Sequence, residues 1–236
     1  MIDSSARRRE VVSLYQKGDY HGIRAALDAD WDELASQDGQ DVAEIARNGM
    51  IACLATEEWA EAELWRVRAL RRAVDASAWG VLALLVISNS LKIAVMRPDV
   101  EGYRMARSAL QEMVPFIERC QDDPDLSPDY LRGLYQEKRG YLAFAQGLFD
   151  AARQDYQQAL ALASSDERRQ LKIRGAIALC HYLEDPKGSG RDTAMSETSQ
   201  VLRSSEGRFL AVAETAEQNL ATMDAGSTDV RPYEVL

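Results

Sequence analysis

Apolar residues recur every three or four positions through most of the chain, in segments parted by short turn-forming interruptions, which is the period of amphipathic helices and not of strands. Read this way the sequence predicts about eleven helices, over residues 5–17, 20–29, 42–55, 57–74, 76–96, 100–120, 129–146, 149–163, from the cap at 164 to about 183, 192–203 and 205–223. An all-helical chain of this kind is expected to be about 65–75% helix, far above the ~30–35% of an average globular protein. Local signals mark the ends: Asp41 with Glu44 and Ser164 with Glu167 have capping-box spacing, Thr56 and Asp75 are candidate N-caps, and Ser127 precedes Pro128. Residues 31–40 read as an acidic linker, and Pro115 should kink or shorten the helix that contains it. The segment 79–96 is apolar almost all round over its first half, so that helix is expected to be buried on most sides. Its most apolar run, 79–87, is short of the roughly 20 residues a membrane span needs. The final residues, 224–236, carry turn formers and no helical period, which predicts a mobile tail.

The most regular stretch is 140–163, GYLAFAQGLFDAARQDYQQALALA. A helix ends there at a turn on Gly147, and a second follows with Phe149, Ala152, Tyr156, Ala159, Leu160 and Ala163 on one face. Gly140, Gly147, Phe149, Ala152, Tyr156, Ala159 and Leu160 together resemble a tetratricopeptide repeat. The segment 42–74 resembles a second copy through Trp59, Ala62, Ala69 and Leu70, and the equivalent alanines Ala62, Ala106, Ala152 and Ala194 lie 44, 46 and 42 residues apart. These units are longer than the ~34 residues of the family. The resemblance implies an all-α, right-handed α-solenoid of helical hairpins over residues 1–223, with the last helix capping the stack and 224–236 as a tail.

Charge and cysteine content narrow the classes. Lys and Arg number 28 against 38 Asp and Glu, and a net charge of −10 repels phosphate backbones, so no nucleic-acid partner is expected. Cys53, Cys120 and Cys180 are odd in number and far apart in apolar patterns, which suits core fillers in a reducing compartment. With two histidines and no paired-cysteine spacing, neither a metal nor a cofactor is expected. The first ten residues have no apolar segment behind their basic ones, so the expectation is a cytoplasmic protein with no membrane partner.

No spacing points to catalysis. Cys180 and His181 are adjacent, about 100° apart around a helix, which is poor geometry for a nucleophile and its base. Arg66 falls among apolar positions on its helix and needs a carboxylate partner or a path to solvent, or else serves a binding partner. In the peptide-clamp form of the family, Lys and Asn on successive first helices hold a partner's carboxylate end. The resemblance puts Arg47 and Asn48 in matching places on one helix and Glu137 and Tyr141 on another, and an acidic residue there argues against that mode. It also puts Leu134, Tyr141, Phe144 and Ala145 on the groove-lining face, with Leu131 and Leu142 at its margin. The expected function is therefore a non-enzymatic scaffold or adaptor, binding a protein or peptide through Leu134, Glu137, Tyr141, Phe144, Arg47, Asn48 and Arg66. A peptide- or ligand-sensing regulator is the alternative, and a Cys180-dependent enzyme the remote one.

Overall fold

The computed structural model describes residues 2–37, 39–120, 126–163 and 166–233. About 80% of them are helical and none is in a strand, a helical-repeat-like fold. The segments are α1 (Ser4–Lys17), α2 (Tyr20–Leu34), α3 (Gln40–Ala55), α4 (Trp59–Asp75), α5 (Trp79–Met96), α6 (Val100–Gln111), α7 (Val114–Arg119), α8 (Pro128–Ala145), α9 (Phe149–Leu162), α10 (Glu167–Glu184), α11 (Ser189–Ser205) and α12 (Leu210–Asp224). α7 follows α6 after a step at Glu112 and Met113 and has Pro115 in its first turn, so the two are the kinked helix expected over 100–120. Counted so, the described helices number eleven. The chain divides into two compact units, residues 1–96 with 108–128 and residues 97–107 with 129–235.

In the first unit α3 is surrounded by α1, α2, α4 and α5. Between Val42 and Leu54 only Arg47 is not fully buried. Gly49 lets α4 approach, because a β-carbon there would stand 2.9 Å from the Trp65 ring. Trp65 meets Trp31 edge-on with centroids 4.8 Å apart, and the Arg68 guanidinium lies 4.5 Å from its ring centre. The Trp31 contact and the fully buried Leu34 carry α2 through residues that composition alone reads as linker. Asp41 and Glu44 do not cap α3 as their spacing predicts. They face α1 instead, where Asp41 accepts from the Ser5 hydroxyl and Glu44 pairs with Arg8.

Thr56 likewise closes α3 and does not open α4, donating its hydroxyl to the Ala52 carbonyl at 3.0 Å. Glu57, at φ 60°, makes the turn. Asp75 ends α4, and Ser77 at φ 50° leads into α5. The apolar run 79–87 extends into an 18-residue helix that would be long and apolar enough to cross a membrane, and 61% of it is buried. Its Trp79 stacks with Phe116 of α7, centroids 6.4 Å apart.

The second unit repeats the glycine device. A β-carbon on Gly140 would stand 2.9 Å from the Tyr156 ring, and the aromatic residue is sixteen positions after the glycine in both units. Gly147, φ 73°, turns α8 into α9 where the sequence predicts it. Asp166 caps α10 by accepting the Arg169 N–H at 2.9 Å, and Ser164 of the predicted capping box lies outside the described residues. α10 and α11 extend into the predicted loop 184–191 and leave a short turn. α12 starts only at Leu210, which is 72% exposed and not inside as its period suggests, whereas Ala213 and Ala216 are buried. The four alanines that mark the repeat period, Ala62, Ala106, Ala152 and Ala194, are each at most 1% exposed.

Gly49→Ala and Gly140→Ala are each expected to lower stability by roughly 1–3 kcal/mol through overpacking against a ring, although alanine is the better helix former by about 1 kcal/mol. The urea midpoint reads the difference, and an unchanged or higher midpoint would contradict ring-on-glycine packing.

Candidate functional site

The inner face of α8 carries the residues that the repeat resemblance assigns to a groove. Leu131 and Leu142, placed at its margin, are fully buried, and Leu134 and Ala145 are half-buried. Phe144 is also half-buried. It packs against two clusters of buried side chains, one with Tyr156 and Ile173, the other with Leu171 and Val212, and meets Phe149 edge-on at 5.7 Å. Phe144 is thus an internal brace between helices.

Glu137 is 7% exposed and accepts from Arg169 Nε at 2.7 Å and from Lys138 Nζ at 2.9 Å. Arg169, 5% exposed, lies over the Tyr130 ring at 5.3 Å, and its two terminal nitrogens have no hydrogen-bond partner among the described residues. Burial alone would raise the Glu137 carboxyl, yet Lys138, Lys172 and Arg169 hold it at about 2. Beside this cluster is a cavity of about 20 Å³, room for one water, lined by Glu137, Lys138, Tyr141, Tyr156, Lys172, Ile173, Ala176 and Tyr233. Tyr141 therefore faces the chain's own C-terminal segment.

That segment is docked along α10 and α12, contrary to the mobility its composition predicts. Gly226, φ 70°, turns the chain out of α12, and the Tyr182 hydroxyl donates to the Ser227 carbonyl at 2.8 Å. Val230 packs against two core clusters. Asn219, fully buried on α12, grips one residue by its backbone: the Arg231 N–H donates to Asn219 Oδ1 at 2.7 Å, and Asn219 Nδ2 donates to the Arg231 carbonyl at 2.8 Å. Tyr233, 5% exposed, lies on Gly175 of α10, where a β-carbon would stand 2.2 Å from the ring. Burial pushes its phenol well above the ordinary value.

The remaining candidates are in the first unit. Asn48 is 2% exposed, with its amide donating to the Glu44 carbonyl of its own helix at 3.0 Å, and the adjacent Arg47 is half-buried. Arg66 pairs with Glu63 at 2.6 Å, and Lys92 joins them at 3.0 Å, so its apolar register is answered by an ion pair. Cys180 is fully buried among the residues around Tyr156, and burial pushes its thiol up to about 12. His181 turns away to Arg153, 3.2 Å distant, so the adjacent pair is not assembled as a nucleophile and base.

A larger cavity, about 290 Å³, is lined by Leu160, Leu171, Arg174, Ile177, Glu197, Gln200 and Val201. Among the described residues no group of three or more His, Cys, Asp or Glu is placed to hold a metal ion. Sequence reasoning brings Glu137 and Tyr141 into the right neighbourhood and misses Arg169, Lys172, Gly175, Asn219 and Tyr233. Two signals mark the missing residues: a glycine in mid-helix, and an asparagine on the buried stripe between Ala216 and Met223.

A carboxyl held at about 2 when folded and near 4.5 ordinarily contributes stability that is complete above about 4.5 and is lost as pH falls through about 2. Glu63, held at about 2 by its hydrogen bond from Arg66, adds a second group to that window. Glu137→Gln is expected to flatten part of the acid limb of a stability–pH profile and to lower stability at neutral pH by roughly 3–5 kcal/mol, since Arg169 loses its carboxylate. An unchanged acid limb would contradict the buried ion cluster. Phe144→Ala is expected to lower the urea-derived stability by about 2–4 kcal/mol as a brace between core clusters, and a change near zero would return it to an open groove.

Compared with known proteins, the chain matches no family model, no curated protein and no solved structure.

Proposed function

We propose that this chain is a tetratricopeptide-like helical-repeat module, its hairpins stacked in the right-handed sense of that family, which acts as a scaffold or adaptor by holding an extended segment of a protein partner. The observation that carries this reading is the two-point grip of Asn219 on the Arg231 backbone together with the seat of Tyr233 on Gly175. A buried amide side chain committed to main-chain atoms, beside a socket for one aromatic ring, is the chemistry of extended-peptide recognition. Three buried cysteines outside any disulfide accord with action in a reducing cytoplasm. The deeply buried Cys180, with its thiol at about 12, supplies little thiolate for nucleophilic chemistry.

A sensing role is the second reading, favoured by the 290 Å³ cavity between α9, α10 and α11, whose size is close to that of small-ligand pockets. Ligand-dependent rise in melting temperature would support the sensor.

Covalent cross-linking in the native host, followed by capture of the tagged chain and mass spectrometry, tests the scaffold. The expected result is a protein partner recovered in near-stoichiometric amount, with cross-links to this chain. Recovery of nothing above the level of an unrelated acidic control would overturn it.

A further inference from the structure

The C-terminal segment is held in a way that any chain of the right pattern could reproduce. Both hydrogen bonds between Asn219 and Arg231 use backbone atoms of Arg231, so they do not depend on which side chain stands there. Specificity comes from two neighbours: an apolar residue one position earlier, here Val230 on the core clusters, and an aromatic ring two positions later, here Tyr233. Pro232 between them restricts the backbone to extended conformations. Gly175 makes the ring's seat, because any β-carbon on it would occupy the ring's place.

The attachment before this grip is slight. Residues 224–229 are exposed, and Ser227 is held at its carbonyl by Tyr182 and through its N–H by the Thr222 carbonyl. Rotation about Gly226 is the motion that would carry the segment off α10 and α12. Departure would uncover the Asn219 amide and the Gly175 seat together, which offers an incoming chain the same backbone donor and acceptor and the same ring site.

We infer that the α10–α12 face is a binding site for an extended partner segment of pattern apolar–x–Pro–Tyr, and that residues 227–233 are its resident occupant, displaced when such a segment enters. This rests on the peptide-binding reading above and adds both the partner's chemistry and its regulation. The tethered occupant competes at an effective concentration of about millimolar, so the unaltered chain binds free peptide weakly.

The test uses the full chain and a fluorescent synthetic peptide, GSTDVRPYEVL, with anisotropy as the readout. In Tyr233→Ala the resident segment loses its ring, and this chain is expected to bind the peptide at least about tenfold more tightly than the unaltered chain. Tyr→Ala in the peptide is expected to abolish binding. Gly175→Ala combined with Tyr233→Ala closes the seat and is expected to abolish it too. A folded Tyr233→Ala chain that binds no better than the unaltered one, or binding indifferent to Gly175→Ala, would overturn the inference. So would loss of the helical circular dichroism in Tyr233→Ala, which would make the segment an integral part of the core. A dimer of the unaltered chain that dissociates in Tyr233→Ala would replace the partner with a second copy. Failure here with a cross-linked partner still recovered leaves the scaffold reading in place on another surface, whereas peptide binding with no recovered partner counts against the scaffold alone.

Discussion

How closely two helices can approach depends on what stands between their axes, and in this chain the answer is set by missing β-carbons. Side chains ordinarily keep helix axes about 8–10 Å apart. At Gly49 and Gly140 the space of a β-carbon is taken by a ring from the following helix, Trp65 on α4 and Tyr156 on α9. Each glycine weakens its own helix by about 1 kcal/mol, which burial of an aromatic side chain at about 1.5–3 kcal/mol offsets. Once the ring is seated, the turn between the helices has little freedom. It is made by left-handed residues, Glu57 in one hairpin and Gly147 in the other. Gly175 extends the same rule beyond helix pairs, since the ring it seats belongs to an extended segment.

The second constraint is electrostatic and fixes α8 against α10. Glu137 at the surface would be an ordinary solvated carboxylate. Buried between Arg169 and Lys138, it is bound to a single geometry, because a charge in that place needs both partners. The consequence reaches Tyr141, one turn on, which faces the cavity closed by Tyr233. A face whose apolar residues suggest an open groove is thus covered by the chain itself. The acidic residue that departs from a carboxylate clamp serves an internal ion cluster.

What was legible in the sequence depended on periodicity and on short-range pairs. The helices, the turn at Gly147, the break near Pro115 and the four buried alanines all follow from 3.6-residue spacing and local steric rules. The predicted caps failed where a side chain had a distant competitor: Asp41 and Glu44 have good capping spacing, but Ser5 and Arg8 of α1 claim their carboxylates. α2 outran its prediction because Trp31 packs on Trp65, a contact 34 residues away that no local pattern encodes. The site was less legible still. Arg66 and Glu63 lie three residues apart and could be paired on a helical wheel, whereas Glu137 and Arg169 meet across 32 residues.

The docked segment escaped the sequence for a more basic reason. The grip on Arg231 reads backbone atoms, so exposed Asp229, Arg231 and Pro232 read as a solvated tail even though Val230 and Tyr233 on either side are seated. The pattern lies in the partner surface. Asn219 is fully buried on a helix otherwise packed through Ala216 and Met223, a position that leucine would fill at no polar cost. An amide there is tolerable only when its donor and acceptor are both met, since each unmet polar group costs roughly 1–3 kcal/mol. Both are met by one residue of an extended chain, as one strand meets another across a single pair of hydrogen bonds. Asn219, Gly175 and the Tyr182 hydroxyl therefore hold an extended segment on α10 and α12 through its backbone and one ring.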